Sequence, residues 1–139
     1  MVDKETFVAN ERIRVECLFQ AKHRPGFRNK GELASWYIEK LVEQDFRCYY
    51  CDTSIFDIRQ LIDNELLLTR KTGYGRRGPI LEIDRIINPN GYNPINCVLS
   101  CYYCNNDKSS TLEGEVYKRF FGKARNSFFK HLLEARDLG

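Results

Sequence analysis

The chain has 139 residues, the length of one domain, and its 42% hydrophobic and 29% charged residues are typical of a globular protein. No apolar run approaches the roughly 20 residues that a membrane-spanning helix needs, so we expect no membrane partner. The formal net charge of +3 is too small to indicate a partner by itself, and the distribution of the charges is more informative.

The N-terminal part, residues 1–47, is predicted to form two helices joined by a basic loop. Apolar residues at helical spacing place the first helix from about Lys4 to Ala21 and the second from about Glu32 to Gln44. The loop is interrupted by Pro25-Gly26 and contains several cations without any acidic residue. Its cations are Lys22, Arg24, Arg28 and Lys30, with His23 among them.

Four cysteines in two Cys-x-x-Cys knuckles predict a structural zinc site. The first knuckle is Cys48–Cys51 and the second is Cys101–Cys104, and the 49 residues between them far exceed the roughly 15–20 of a zinc ribbon. A zinc ion would therefore join two distant segments. Two disulfides or free core cysteines are the alternatives, but paired knuckles without a visible secretion signal are typical of a cytoplasmic protein.

Two predicted elements follow the first knuckle. Ser54 can cap a short helix, with Asp57 completing a pair that resembles a capping box. The segment from Thr69 to Pro79 is glycine-rich and basic, and we expect it to be an irregular, flexible arm that contacts DNA. A disordered surface hairpin is the alternative. The cations of this arm are Arg70, Lys71, Arg76 and Arg77.

The basic loop and the basic arm are both free of acidic residues, and they flank the first knuckle in the sequence. Such windows are typical of a surface that contacts a phosphate backbone. A run of charges is also often only a solvated face, so this feature alone gives even odds for nucleic acid.

The stretch from Leu81 to Ser109 is the most specific part of the chain. It predicts an apolar strand over Ile80–Ile83 that ends at Asp84, a turn-rich loop, and a second strand at Val98-Leu99. The second knuckle then leads into a helix that carries Asn105. The carboxylate of Asp84 and the amide oxygen of Asn105 are hard ligands that suit Mg²⁺. A turn acid and a helix cap are the alternatives.

The C-terminal part, residues 111–139, is predicted to form two more helices. Thr111 caps the first, which runs through Phe121 and ends at Gly122. The second runs from about Lys123 to Arg136. Its predicted buried residues are Phe128, Leu132 and Leu133. These helices can serve as scaffold or as a dimer surface, and the sequence does not separate the two.

Three short motifs occur in order in the central stretch. They are Asp84-Arg85, Gly91-Tyr92-Asn93-Pro94-Ile95-Asn96 and Cys101-Tyr102-Tyr103-Cys104-Asn105-Asn106-Asp107-Lys108. Their order and spacing resemble the HNH (ββα-metal) endonuclease superfamily, and within it a group of restriction enzymes with a four-cysteine zinc site. A looser likeness extends back to about Ala21.

The resemblance implies an α+β fold in one domain spanning 1–139. Its ββα-metal core, residues 48–110, is stapled by the four-cysteine zinc site and flanked by N- and C-terminal helices. It also implies catalytic Mg²⁺, for which Mn²⁺ can substitute, bound by Asp84 and Asn105. Asn96 matches the middle asparagine of the family, where bracing of the loop is favoured over a catalytic role. The implied substrate is DNA, and the implied origin is prokaryotic or phage.

The sequence departs from the family pattern at one position. HNH nucleases usually place a histidine directly after the strand-end aspartate as the general base, and here that residue is Arg85, which cannot give up its proton near neutral pH. Arg85 can instead hold a phosphate or lower the pKa of a neighbouring acid. In the restriction group that the motifs resemble, a tyrosine is thought to start cleavage. Tyr74 is therefore the favoured candidate, followed by Tyr92, with His23 as a third.

Three functions are consistent with these residues. The first is a site-specific DNA endonuclease that acts as a homodimer, because one metal site cuts one strand. The second is a sequence-tolerant or nicking nuclease of phage or mobile-element type, and the third is a non-catalytic zinc module that binds nucleic acid. The choice between DNA and RNA stays open. The predicted DNA-binding residues are Lys22, Arg24, Arg28, Arg70, Lys71, Arg76, Arg77 and Lys108.

Overall fold

The computed structural model describes residues 3–21, 26–72 and 75–138. The N-terminal elements are α1 (Lys4–Ala21), α2 (Lys30–Glu43) and α3 (Ile55–Asp63). The strands and the helix after them are β1 (Arg70–Thr72), β2 (Gly75–Arg77), β3 (Leu81–Arg85), β4 (Cys97–Cys101) and α4 (Tyr102–Lys108). The C-terminal elements are α5 (Gly114–Tyr117), a π-helical turn (Lys118–Gly122) and α6 (Lys123–Leu138). None of the helices in these ranges is long and apolar enough to cross a bilayer.

The two N-terminal helices pack against each other, and both predicted helices are present with nearly the predicted bounds. The side chain of Asn29 caps α2 by accepting a hydrogen bond from the backbone N–H of Glu32. Tyr37, on the buried face of α2, donates its hydroxyl proton to the carbonyl oxygen of Leu81 at 2.7 Å. This bond fixes the start of β3 to the helical pair.

Strands β1 and β2 form an exposed antiparallel hairpin, so the prediction of an irregular arm from Thr69 to Pro79 is wrong. Arg70 pairs with Arg77 and Lys71 with Arg76. All three residues of β1 are exposed, so the strand has no alternation of apolar and polar residues from which it could be predicted.

Strands β3 and β4 form the predicted second antiparallel hairpin, in which β4 is longer than predicted and buried throughout. Leu81 pairs with Cys101, and Asp84 lies opposite Val98. Helix α4 follows β4 without a connecting loop and packs across both strands. The result is a ββα unit in which one face of β3 is turned toward α4.

The C-terminal helices differ from the prediction at both ends. The first begins after Glu113 instead of Thr111, and Gly122 lies in a π-helical turn that joins α5 to α6 without a break. A Cβ atom on Gly122 would lie 2.1 Å from the carbonyl oxygen of Tyr50, so glycine is required for the helix to lie against the first knuckle.

The residue that α6 buries deeply is Phe129, and the predicted Phe128 is 46% exposed. Phe128 and Phe129 are neighbours, and the sequence alone does not fix which of the two faces the core. Leu132 and Leu133 are partly buried against the core.

Candidate metal centre and active site

The two knuckles bring four buried cysteines together. The Sγ atoms of Cys48, Cys51, Cys101 and Cys104 all lie within 4.8 Å of one another. Tetrahedral zinc with Zn–S bonds of about 2.3 Å needs sulfur atoms about 3.8 Å apart, so the cluster fits a zinc ion. No disulfide joins any of the cysteines, all of which lie within the described residues, and the disulfide alternative is therefore wrong.

The thiols of the cluster already share hydrogen bonds. Burial opposes ionisation of Cys48, but hydrogen bonds from the thiols of Cys101, Cys104 and Cys51 outweigh it and place its pKa well below the ordinary value. Burial raises the pKa of Cys101. A zinc ion in the cluster would bind all four sulfurs as thiolates and displace their protons.

Asp84 lies on the face of β3 that is turned toward α4, and 6% of its surface is exposed. Its Oδ2 atom accepts a hydrogen bond of 2.6 Å from the hydroxyl of Tyr50. The Nζ atom of Lys108 lies 3.2 Å from the same oxygen, and Lys108 also donates to Asn88 Oδ1 at 3.2 Å. Asp84 and Lys108 thus form a buried ion pair, in which each charge offsets the cost of burying the other.

The burial of Lys108 corrects its predicted role as a DNA contact. The side chain has no exposed surface, so it cannot reach a phosphate in this conformation. Sequence reasoning missed this burial, because a lysine at the end of a short helix is usually solvated.

Tyr50 is a site residue that the sequence analysis missed. Burial, and then the charge of Asp84, raises the pKa of Tyr50 above its ordinary value, so the hydroxyl stays protonated and donates to the carboxylate. Tyr50 lies between Cys48 and Cys51, and the first knuckle is therefore hydrogen-bonded to the strand-end aspartate. The only sequence signal is its position inside the knuckle.

Asn105 belongs to a second set of contacts on the same face. Its Nδ2 atom donates to Glu82 Oε1 at 2.9 Å. Glu82 also accepts two hydrogen bonds from Arg77, at 2.8 Å from Nε and 2.5 Å from Nη2. Residues two apart on a strand and three apart on a helix share a face. The pairs Glu82–Asn105 and Asp84–Lys108 are therefore adjacent rungs between β3 and α4.

The oxygen atoms of these rungs fit a hard divalent cation. An ionised carboxylate offers about four lone-pair sites, so Tyr50 and Lys108 leave acceptor capacity on Asp84. The amide of Asn105 is bound to Glu82 through its nitrogen, and among the described residues no hydrogen bond engages its Oδ1 atom. Within the described ranges, the cysteine cluster is the only group of three or more metal-ligating His, Cys, Asp or Glu side chains. A cation here would therefore keep most positions for water and phosphate, as Mg²⁺ does.

Arg85 and Tyr92 contact each other. The guanidinium carbon of Arg85 is 4.9 Å from the centre of the Tyr92 ring. Alternation along β3 directs Arg85 away from the face that carries Asp84. The other proposed proton acceptors, Tyr74 and His23, lie outside the described residues.

Asn96 braces the loop between β3 and β4. Its Oδ1 atom accepts from the N–H of Ile87 at 3.0 Å, and its Nδ2 atom donates to the carbonyl oxygens of Ile87 and Gly91 at 2.8 and 2.9 Å. Trp36 donates to the carbonyl oxygen of Pro94 in the same loop. These contacts give Asn96 the bracing role that the sequence analysis favoured.

The predicted DNA-binding cations lie in different environments. Arg28 is exposed and forms an ion pair of 2.5 Å with Glu32. Arg77 is bound to Glu82, while Lys22 and Arg24 lie outside the described residues. The exposed cations of the β1–β2 hairpin are Arg70, Lys71 and Arg76.

An antiparallel strand pair is followed at once by a helix, and a four-cysteine cluster lies beside it, as expected of a ββα-metal (HNH) fold. A scan against family models and a search of curated proteins found no match. Among solved structures, the chain is similar to the rare-cutting HNH restriction endonuclease PacI, described as exhibiting an extraordinary mechanism of DNA perturbation. The TM-score is 0.59 and the identity 21%, over 86% of this chain and 77% of the PacI chain. The predicted α+β fold with an HNH core is therefore confirmed.

Proposed function

We propose that this protein is a metal-dependent DNA endonuclease of HNH type. The observation that carries the proposal is the pairing of Asp84 and Asn105 on adjacent rungs of one ββα face. Neither side chain is needed for the cysteine cluster, and both present oxygen atoms that Mg²⁺ prefers. The similarity to PacI, a restriction endonuclease that acts on DNA, supports DNA as the substrate.

The residues of the site have different roles in phosphodiester hydrolysis. Asp84 and Asn105 would hold Mg²⁺, or Mn²⁺ in its place, which neutralises the scissile phosphate and the departing oxygen when bound. The contacts of Tyr50 and Lys108 fix the orientation of the Asp84 carboxylate. The four cysteines would hold zinc and thereby fix β4 and α4 against the first knuckle.

Arg85 cannot accept the proton that a usual HNH histidine accepts, so another group must do so. Tyr92, which contacts Arg85, and Tyr74 are the candidates. Replacing each by phenylalanine separates them. If the Tyr92 hydroxyl accepts the proton, Tyr92→Phe should abolish cleavage and leave DNA binding intact. If instead Tyr74→Phe alone abolishes cleavage with DNA binding intact, Tyr74 has that role. Single-turnover cleavage rates measure both.

The β1–β2 hairpin is the proposed DNA-binding arm. Its register places Arg70 opposite Arg77 and Lys71 opposite Arg76, and like charges in opposite positions destabilise a strand pair. Glu82 offsets the charge of Arg77, but the other three cations are exposed. An anion against the hairpin relieves their repulsion, and a two-stranded ribbon fits the major groove of DNA.

We also propose that the enzyme is a site-specific, restriction-type homodimer. The C-terminal helices expose large apolar side chains, including Phe120, which is 63% exposed, and Phe121. Such a patch is a candidate for an interface. Two copies related by a two-fold axis would place one metal site on each strand. Phe120→Glu should then give a monomer by sedimentation and convert double-strand cuts to nicks.

Cleavage of supercoiled plasmid and phage DNA in Mg²⁺ tests the function, with EDTA and Asn105→Ala as controls. We expect discrete fragments that both controls abolish. Nicked circles that both controls abolish would indicate the sequence-tolerant or nicking nuclease instead. Binding to DNA without cleavage in any divalent metal would contradict the proposal and indicate the non-catalytic zinc module.

A further inference from the structure

We propose that Arg77 and Glu82 are positioning residues that orient the metal ligand Asn105 and connect it to the DNA-binding hairpin. The inference rests on the proposed nuclease function, because that function gives Asn105 its role at the metal.

Glu82 is held by three hydrogen bonds that leave it little freedom. Nε and Nη2 of Arg77 approach its two oxygens as a fork, and Oε1 also accepts from Asn105. The side chain of Glu82 is only 12% exposed, so water competes weakly for these bonds. Bidentate arginine–carboxylate pairs of this kind are both strong and directional.

The carboxylate determines which way the Asn105 amide faces. An ionised Glu82 can only accept hydrogen bonds, so the amide must turn its NH₂ group toward it. The Oδ1 atom then points away from Glu82 and is available to a cation. An amide without this constraint can rotate by half a turn and present NH₂, which cannot bind a metal. Glu82 therefore selects the metal-binding orientation of Asn105.

Arg77 connects this arrangement to the hairpin. It is the last residue of β2 and pairs with Arg70, and its guanidinium carbon lies 4.6 Å from the centre of the Tyr102 ring. When DNA binds the hairpin, the ion pair between Arg77 and Glu82 is maintained. When the hairpin moves away from β3, that ion pair breaks. Metal binding and DNA binding should then strengthen each other, because coupling between two sites is reciprocal.

The test measures Mn²⁺ binding by the loss of its free electron paramagnetic resonance signal, without reference to cleavage. Glu82→Gln should raise the Mn²⁺ dissociation constant about tenfold or more, as is usual when the residue that orients a ligand is changed. Glu39→Gln makes the same charge change on the exposed face of α2 and should have no effect. Circular dichroism and zinc content check that each variant is folded.

The connection to DNA is tested in the same assay. A DNA duplex should lower the Mn²⁺ dissociation constant of the wild-type protein after subtraction of binding to the duplex alone. Arg77→Gln should abolish this shift. Arg12→Gln removes an exposed cation of α1, outside the hairpin and the candidate site, so it should retain the shift.

Two results would overturn the inference. One is an unchanged Mn²⁺ dissociation constant in both Glu82→Gln and Arg77→Gln, and the other is a wild-type protein that binds no Mn²⁺ with or without DNA. Failure of the nuclease function has a different signature. A wild-type protein that binds Mn²⁺ in the expected way but cuts no DNA would leave the positioning role supported and remove the catalytic one.

Discussion

The two hairpins of this protein have the same connectivity and opposite environments. The β3–β4 hairpin is largely buried, and it carries Asp84 at its edge and Cys101 at its end. The β1–β2 hairpin is almost entirely exposed and carries four cations in facing pairs. The first is stabilised by the core and the cysteine cluster. The second has no core of its own, so its side chains are available to a partner.

This difference predicts that the buried hairpin controls stability and that the exposed hairpin controls binding. Four changes test this assignment of stability to one hairpin and binding to the other. They are ordered by the size of the effect expected on folding.

Removal of zinc should have the largest effect. Structural zinc contributes apparent binding free energies of about 10–16 kcal/mol in small zinc domains, and here it would join β4 to the first knuckle. Chelation, or Cys101→Ser, should therefore abolish cooperative thermal unfolding as seen by circular dichroism. Cys17→Ser, at an exposed cysteine on α1 outside the cluster, is the matched control. An unchanged melting curve after chelation would show that zinc does not stabilise the fold.

Loss of the buried lysine should have the next largest effect. Lys108→Met leaves the charge of Asp84 buried without its ion-pair partner, and such a change costs about 3–5 kcal/mol. Denaturant unfolding measures the difference in the free energy of unfolding. Lys123→Met, at an exposed position of α6, should change it by less than about 0.5 kcal/mol. Equal effects of the two variants would contradict the ion pair.

The hydroxyl of Tyr50 should contribute less. Tyr50→Phe removes a hydrogen bond to a charged group, and such bonds contribute about 1.5–3 kcal/mol. Tyr49 lies in the same knuckle, and its hydroxyl donates an exposed hydrogen bond to Glu115. Tyr49→Phe removes that bond and serves as the control. We expect Tyr50→Phe, and not Tyr49→Phe, to lower both the free energy of unfolding and the cleavage rate.

Changes in the exposed hairpin should hardly affect folding. Arg70→Gln combined with Arg76→Gln should alter the free energy of unfolding by less than about 0.5 kcal/mol. The same variant should bind DNA more weakly, and the slope of log affinity against log salt should fall by about one for each phosphate that the variant no longer neutralises. Fluorescence anisotropy over a range of salt concentrations measures this slope. Unchanged DNA binding would assign the phosphate-binding role to another surface.

Burial also explains which parts of the fold could be predicted. Burial requires apolar residues in β3 and β4, and a metal site requires cysteines at a suitable spacing. Both patterns are visible in the sequence. The cap at Ser54 is predictable for a similar reason, because its partner, the N–H of Phe56, is local. The exposed hairpin has no apolar pattern, and the adjacent Phe128 and Phe129 do not reveal which of them α6 buries.

The candidate site was predictable only in part, because its contacts join residues distant in sequence. Motif spacing made Asp84 and Asn105 candidate ligands, but it did not indicate the hydrogen bond from Asn105 to Glu82. The bonds of Tyr50 to Asp84 and of Arg77 to Glu82 depend on how the knuckle and the hairpin pack against β3. Lys108 was assigned to DNA because lysines are usually solvated, and its burial follows from its position over Asp84.

The spacing of the two knuckles has a consequence for the order of folding. Both hairpins and Asp84 lie in the segment of 49 residues that the cysteine cluster closes. Closing such a loop costs chain entropy before its internal contacts can form, so contacts of this range form slowly. During synthesis the second pair of cysteines emerges after most of the candidate catalytic residues. If the cluster binds zinc as proposed, a chain without the metal would hold those residues on an open loop, and zinc binding would bring them together.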